Sequence, residues 1–494
     1  MADAIVTTGG GKLRGASNGG IRQYLGVPYA AAPVGERRFA APEPHPGWDG
    51  VRDAIDPGAT APHDVKAFPG LDVIPLIGSG WVKGEEFLTA DIFAPEGDPS
   101  GLPVMVWIHG GGFVVGSKDA PVHDGRSFAR NGLVCVAINY RLGVEGFLPI
   151  PGVPTNLGLR DMIAALKWVR ANAAAFGGDP DNITVFGESA GAMAIADLIT
   201  SPLATGLFRR AIIQSGHAAM TRDIAVMQRL VKKLARLLRI SPDKAGFASI
   251  APGDALDAIA KVSRPTARID LRDAKGHEPV FGISRFAPVH GDDVLPLQPL
   301  EALKRGAGAE IDVLIGTNAE EMNLYLVPTG IRDKIGRLLA TFVLSRSQPG
   351  ARKLLKAYGL GRKGIRPGHA LASAMTDLVF RWPARRFAEE HRGRTHVYEF
   401  DWRSPAFGGA LGACHGVELP FIFDTLACTT GPQGLTGESP PQALANRAHR
   451  LWIDFAKDGR LPWAPFDRET RQVYSVLEAK PDYEAPMPAA PFLP

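Results

Sequence analysis

The sequence predicts an α/β fold: a large, mostly parallel central sheet flanked by helices, with an N-terminal β region and helical insertions. Three observations predict it. Residues 103–108 and 133–139 are unbroken apolar runs of strand length, the pattern of strands covered on both faces. Between such runs lies helical spacing, as at Met162, Ala165, Leu166 and Val169. The alternation then repeats almost to the end of the chain, which calls for right-handed crossovers and a parallel sheet.

In chain order, residues 1–60 read as short strands and turns, punctuated by Gly9-Gly10-Gly11 and Asn18-Gly19-Gly20. Residues 61–84, rich in Gly, Pro and isolated apolar residues, read as a long loop. Strands are expected at 103–108, 133–139, 183–186, 210–214, 313–316 and 397–400, and helices at 161–172, 190–199, 223–240 and 443–457. The Pro-rich tail after Lys480 is expected on the surface. The whole chain, 1–494, reads as one domain, with helical insertions at roughly 220–285 and 325–385. The second insertion is basic: residues 331–366 hold ten Lys/Arg against Asp333 alone. Such a stretch is either a solvated helical surface or a basic rim for anionic substrates or lipid.

Composition narrows the functional classes. With 494 residues, 45% hydrophobic and 21% charged, the chain can bury a large core and is not disordered. A net charge of +4 is too slight to predict nucleic-acid binding. No apolar window approaches a membrane span, and the N-terminus lacks the basic and apolar segments of a signal peptide. Three cysteines, Cys135, Cys414 and Cys428, cannot form a disulfide framework and suit a reducing compartment, so the cytoplasm is expected. The twelve histidines show no His-Glu-x-x-His spacing, and the cysteines are not spaced for zinc, so no metal or cofactor is expected.

Two motifs carry chemistry. Gly187-Glu188-Ser189-Ala190-Gly191 lies between a strand and a helix, the setting of a nucleophile elbow. A turn that tight strains Ser189 and leaves no room for side chains at 187 and 191, while lifting the hydroxyl to a helix N-terminus. His109-Gly110-Gly111-Gly112 ends another strand, where glycines let backbone N–H groups face a ligand. Gly111 to Gly116 also has phosphate-loop spacing, but Ser117-Lys118 follows where Lys-Ser/Thr is needed. A serine nucleophile needs a base and an orienting acid, in the order Ser, Asp/Glu, His. Downstream stand Glu320-Glu321 and Cys414-His415-Gly416, and the residues alone do not choose between the two glutamates.

Taken together, these segments resemble the type-B carboxylesterase/lipase family of cholinesterase-like α/β-hydrolases, over nearly the whole chain. The resemblance is carried by Phe176-Gly177-Gly178-Asp179-Pro180 with Ile183–Gly191, and by Gly26-Val27-Pro28-Tyr29, Asn139-Tyr140-Arg141, Asn156-Leu157-Gly158 and Gln214-Ser215-Gly216. It implies the α/β-hydrolase fold, with insertions forming a substrate gorge. It also implies Ser189 as nucleophile, His415 as base and Glu321 as its acid, the last from the family's Gly-x-Asn-x-Asp/Glu-Glu pattern. Gly111, Gly112 and Ala190 would supply oxyanion donors, and Glu188, Ser215 and Glu418 a polar layer beneath. Arg38 would pair with Glu85.

The resemblance further implies a carboxylic-ester hydrolase working through an acyl-enzyme on small short-to-medium acyl or aryl esters, as a monomer or weak homo-oligomer. The alternatives are a lipase for longer chains, which the basic, polar insertion argues against, or a non-catalytic binding protein. Glu85-Glu86-Phe87-Leu88 stands where the family has a disulfide cysteine, so the 61–84 loop is expected to rest on packing and to be mobile. The size of the acyl pocket is expected to depend on how the insertion helices pack around residues such as Met220, Phe286 and Trp382, which periodicity does not place.

Overall fold

The computed structural model describes residues 2–264, 267, 269–278 and 284–493; part of the expected 220–285 insertion lies outside them. The strands are β1 (Ala2–Thr8), β2 (Gly11–Asn18), β3 (Ile21–Pro28), β4 (Val51–Asp53), β5 (Thr89–Pro95), β6 (Leu102–Ile108), β7 (Val134–Ile138) and β8 (Gly178–Glu188). They continue with β9 (Arg210–Gln214), β10 (Arg222–Asp223), β11 (Val289–His290), β12 (Asp312–Asn318), β13 (Thr395–Phe400), β14 (Gln472–Ser475) and β15 (Lys480–Tyr483).

One sheet runs β1-β2-β3-β5-β7-β6-β8-β9-β12-β13-β14-β15, with β4 beside β2. From β7 through β6, β8, β9, β12, β13 and β14 every pairing is parallel. The pairings from β1 through β3 and β5 to β7, and β14 with β15, are antiparallel. Side-chain alternation sorts the apolar runs onto two faces. Val104, Val106, Val185, Ile213 and Ile315 join one core cluster, whereas Met105, Trp107, Phe186, Ile212 and Leu314 join the other. The same holds for β7, with Val134 and Val136 in one cluster and Cys135 and Ala137 in the other, which is why β6 and β7 read as unbroken apolar runs.

The helix expected at 161–172 begins earlier, at Leu157, because Asn156 adopts a left-handed conformation (φ 57°) and is tied on both sides to Val289. Asp161 on that helix clasps Arg141 after β7 through two side-chain bonds of 2.8 and 2.6 Å, both residues fully buried. The helix Ile224–Leu238 buries Val226, Met227, Leu230, Val231 and Leu234 and exposes Arg229, Lys232 and Arg236, as its spacing predicts.

Three expectations need correction. Arg38 does not pair with Glu85: its Nε donates to Glu145 at 2.8 Å and its Nη1 to Ile250 O, while Glu85 is exposed. The sequence motif named a partner by position, but the half-buried Arg38 guanidinium takes the buried carboxylate packed against it. The 61–84 loop contains the short helix Ile74–Ile77, buries Leu71, Val73 and Leu76, and is anchored by Asp72 N–H donating to Gln433 O at 2.9 Å. The tail is not wholly superficial: past the exposed β15, Met487 and Ala489 are buried and Glu484 binds the buried Arg385. No helix among the described residues is long and apolar enough to cross a membrane.

Candidate active site

The carboxyl ends of β6, β8, β9, β12 and β13 lie side by side, and each leads into a segment of the site. Such an edge is where an open α/β sheet collects ligands. After β8, Ser189 turns the chain with φ 53° and ψ −122° and opens the helix Ala190–Thr200. The two glycines around it are there for lack of space. A Cβ on Gly187 would lie 2.6 Å from Ile108 O, and one on Gly191 would lie 2.1 Å from the same oxygen. Ser189 N–H donates to Gln214 O at 2.9 Å, which holds the turn against β9.

After β6, Gly111 and Gly112 both have positive φ (103° and 61°), and a Cβ on Gly111 would strike Val115 O. Among the described residues their N–H groups donate to nothing. Ala190, as the first residue of its helix, likewise has no intrahelical acceptor. The arrangement offers unspent donors beside the serine.

The adjacent glutamates part ways. Glu321, fully buried, receives His415 Nδ1 at 2.7 Å on Oε2, and Ser215 Oγ and Asn318 N–H at 2.7 Å each on Oε1. Glu320 faces outward to Arg403 and the Ala413 N–H. His415 Nε2, on the other edge of the ring, lies 3.0 Å from Glu188 Oε1, yet both atoms lack a hydrogen-bond partner. No hydrogen bond joins His415 to Ser189 Oγ, although the two side chains line one cavity. Burial works against a charged His415, but Glu188, Tyr325 and Glu321 outweigh it and raise its pKa well above the ordinary value. His109 and His123, by contrast, are pushed down to about 3 by burial, their Nδ1 atoms resting on backbone carbonyls. Glu418, buried and close to Glu188, is pushed up to about 8; Gln214 and Asn318 donate to its two oxygens at 3.2 and 2.6 Å.

The cavity holds about 220 Å³ and is walled by Phe68, Leu76, Val115, Leu324, Tyr325 and Leu419. Met220, Phe286 and Trp382 are not among its walls; Met220 and Phe286 are core residues and Trp382 faces a separate hollow. Sequence reading missed Tyr325 and also Phe380, whose ring lies 4.8 Å from that of His415. Phe68 and Leu76 come from the 61–84 loop, where isolated apolar residues were the available signal. A larger hollow of about 540 Å³ between Trp48 and Trp168 contains neither Ser189 nor His415 and has no nucleophile–base pairing. Among the described residues no group of three or more His, Cys, Asp or Glu is placed to hold a metal.

Comparison with known proteins identifies the family. The profile of the carboxylesterase family matches residues 2–486. The para-nitrobenzyl esterase of Bacillus subtilis (strain 168) is 36% identical, covering 96% of this chain and 94% of its own. The phenmedipham hydrolase of Pseudarthrobacter oxydans is 34% identical over 92% and 90% of the two chains. The solved carboxylesterase of Geobacillus stearothermophilus superposes with a TM-score of 0.81 at 32% identity, covering 96% of each.

Proposed function

The chain belongs to the carboxylesterase family and is a carboxylic-ester hydrolase, and from that premise we propose that Ser189, His415 and Glu321 carry the reaction through an acyl-enzyme. The observation that carries this reading is the buried 2.7 Å contact between Glu321 and His415, facing the cavity that also holds Ser189. Glu321 fixes Nδ1 as the protonated nitrogen, which leaves Nε2 to take the serine proton. Oγ then attacks the ester carbonyl, and the N–H groups of Gly111, Gly112 and Ala190 receive the oxyanion. The imidazolium returns the proton to the departing alcohol, and the neutral ring next activates water for deacylation. The Oγ–Nε2 contact forms as substrate fills the cavity, the tightening expected between a free site and its Michaelis complex.

A small cavity with apolar walls favours short-to-medium acyl or aryl esters. A relative named para-nitrobenzyl esterase supports the same class. The unpaired thiols Cys135, Cys414 and Cys428 fit a cytoplasmic setting.

Three variants test the proposal on p-nitrophenyl butyrate. Ser189→Ala should lose about 10⁴–10⁶ in kcat and all labelling by a fluorophosphonate probe. Glu321→Gln should fall steeply, whereas Glu320→Gln should keep most of its turnover. Retained activity in Ser189→Ala, or the opposite order of the two glutamates, overturns the assignment.

A further inference from the structure

The helix Arg337–Ser345 is turned the wrong way for a surface helix. It buries only Ala340 and Leu344, while Leu338 is 88% exposed, Phe342 61% and Leu339 47%. Positions 338, 339 and 342 fall on one stripe, so the apolar face looks outward. Around it the chain is strongly cationic: ten Lys/Arg against Asp333 in residues 331–366. Arg337, Arg352, Lys353, Lys356, Arg362 and Lys363 are all exposed. Asp333, the one acid, is already shared by Arg366 and His369.

We propose that this helix docks the enzyme on an anionic lipid surface, Leu338, Leu339 and Phe342 entering the acyl boundary while the surrounding cations meet the headgroup phosphates. Three points favour this occupant. An outward-facing apolar stripe with a cationic surround is the arrangement of an in-plane interfacial helix. A second copy of the chain would set the same cationic patch against itself across a twofold axis, so like charges would meet. The stripe is open to solvent, with Leu338 88% exposed, which suits insertion into a fluid interface. The inference rests on the exposed face and its charge, independently of which residues carry the chemistry.

The test is sedimentation of the full chain with lipid vesicles. Vesicles of phosphatidylcholine mixed with phosphatidylglycerol should pellet it, vesicles of phosphatidylcholine alone should not, and high salt should release it. The variant Leu338→Ser/Leu339→Ser/Phe342→Ser should partition about tenfold more weakly or worse. Its turnover of p-nitrophenyl butyrate without vesicles should stay unchanged, which certifies its fold. Failure of the wild type to pellet with anionic vesicles overturns the proposal. So does equal pelleting of the triple variant, which would reduce the face to a cationic patch binding any polyanion. A dimer seen by light scattering and abolished by the triple substitution would assign the face to a second copy and equally overturn it.

Discussion

Glu188 and Glu321 approach the two edges of one imidazole, and their effects differ. Glu321 is saturated by three donors, whereas Glu188 Oε1 sits 3.0 Å from Nε2 with no hydrogen bond. Glu188 therefore stabilises the imidazolium chiefly through its charge. In the proposed mechanism His415 works as a base only when neutral, so activity should be lost as pH falls through its raised pKa. Glu188→Gln removes one charge that raises it, and the acid limb of kcat/KM should move to lower pH. An unmoved limb in that variant would refute the coupling. None of this is written in the residue string. Glu320 and Glu321 are equal as letters after a strand; Ser215 after β9 and His415 after β13, brought from distant parts of the chain, distinguish their surroundings.

The strand–turn–helix around Ser189 is the element most legible in sequence, because sterics dictate its glycines. Gly191 faces Ile108 O, a backbone atom that cannot swing aside. Gly191→Ala should therefore cost about 1–3 kcal/mol in urea unfolding and depress turnover by shifting the serine. A neutral result on both readouts would mean that β6 and the elbow are not in close contact. Other elements were legible only in part. The apolar runs of β6, β7 and β8 announced themselves by burial on both faces, whereas the start of the helix at Leu157 depends on Asn156 reaching Val289, a long-range contact without local signature. The same limit explains the acyl wall. Met220, Phe286 and Trp382 are large and apolar, but which large residues face a cavity is decided by how the loop carrying Phe68 and Leu76 folds over it.

At the scale of the whole molecule, two apolar layers clamp a sheet that the last stretch of chain completes. The tail is fastened where Glu484 meets Arg385, whose guanidinium is wholly buried. Burial tends to raise the Glu484 pKa, but Arg385 more than offsets it and holds the carboxyl below its usual 4.5. A depressed carboxylate stabilises the fold above its unfolded pKa, and that contribution vanishes as pH falls through the folded value. Glu484→Gln should lower stability by about 3–5 kcal/mol near neutrality, since it strands a buried cation. The deficit should shrink below roughly pH 5. A Tm difference that is flat with pH would contradict this account. The alternation of strands and helices made the sheet itself readable, but the fastening of the tail was not, because proline-rich composition resembles a loose end.

The order of the strands also bears on synthesis. The segments after β6, β8 and β9 leave the ribosome well before His415, and β12 lies between β9 and β13 in the sheet. If His415 is the base proposed above, the nascent polypeptide carries a serine with no base until that late histidine emerges, so a prematurely terminated product should be inert rather than an unregulated hydrolase.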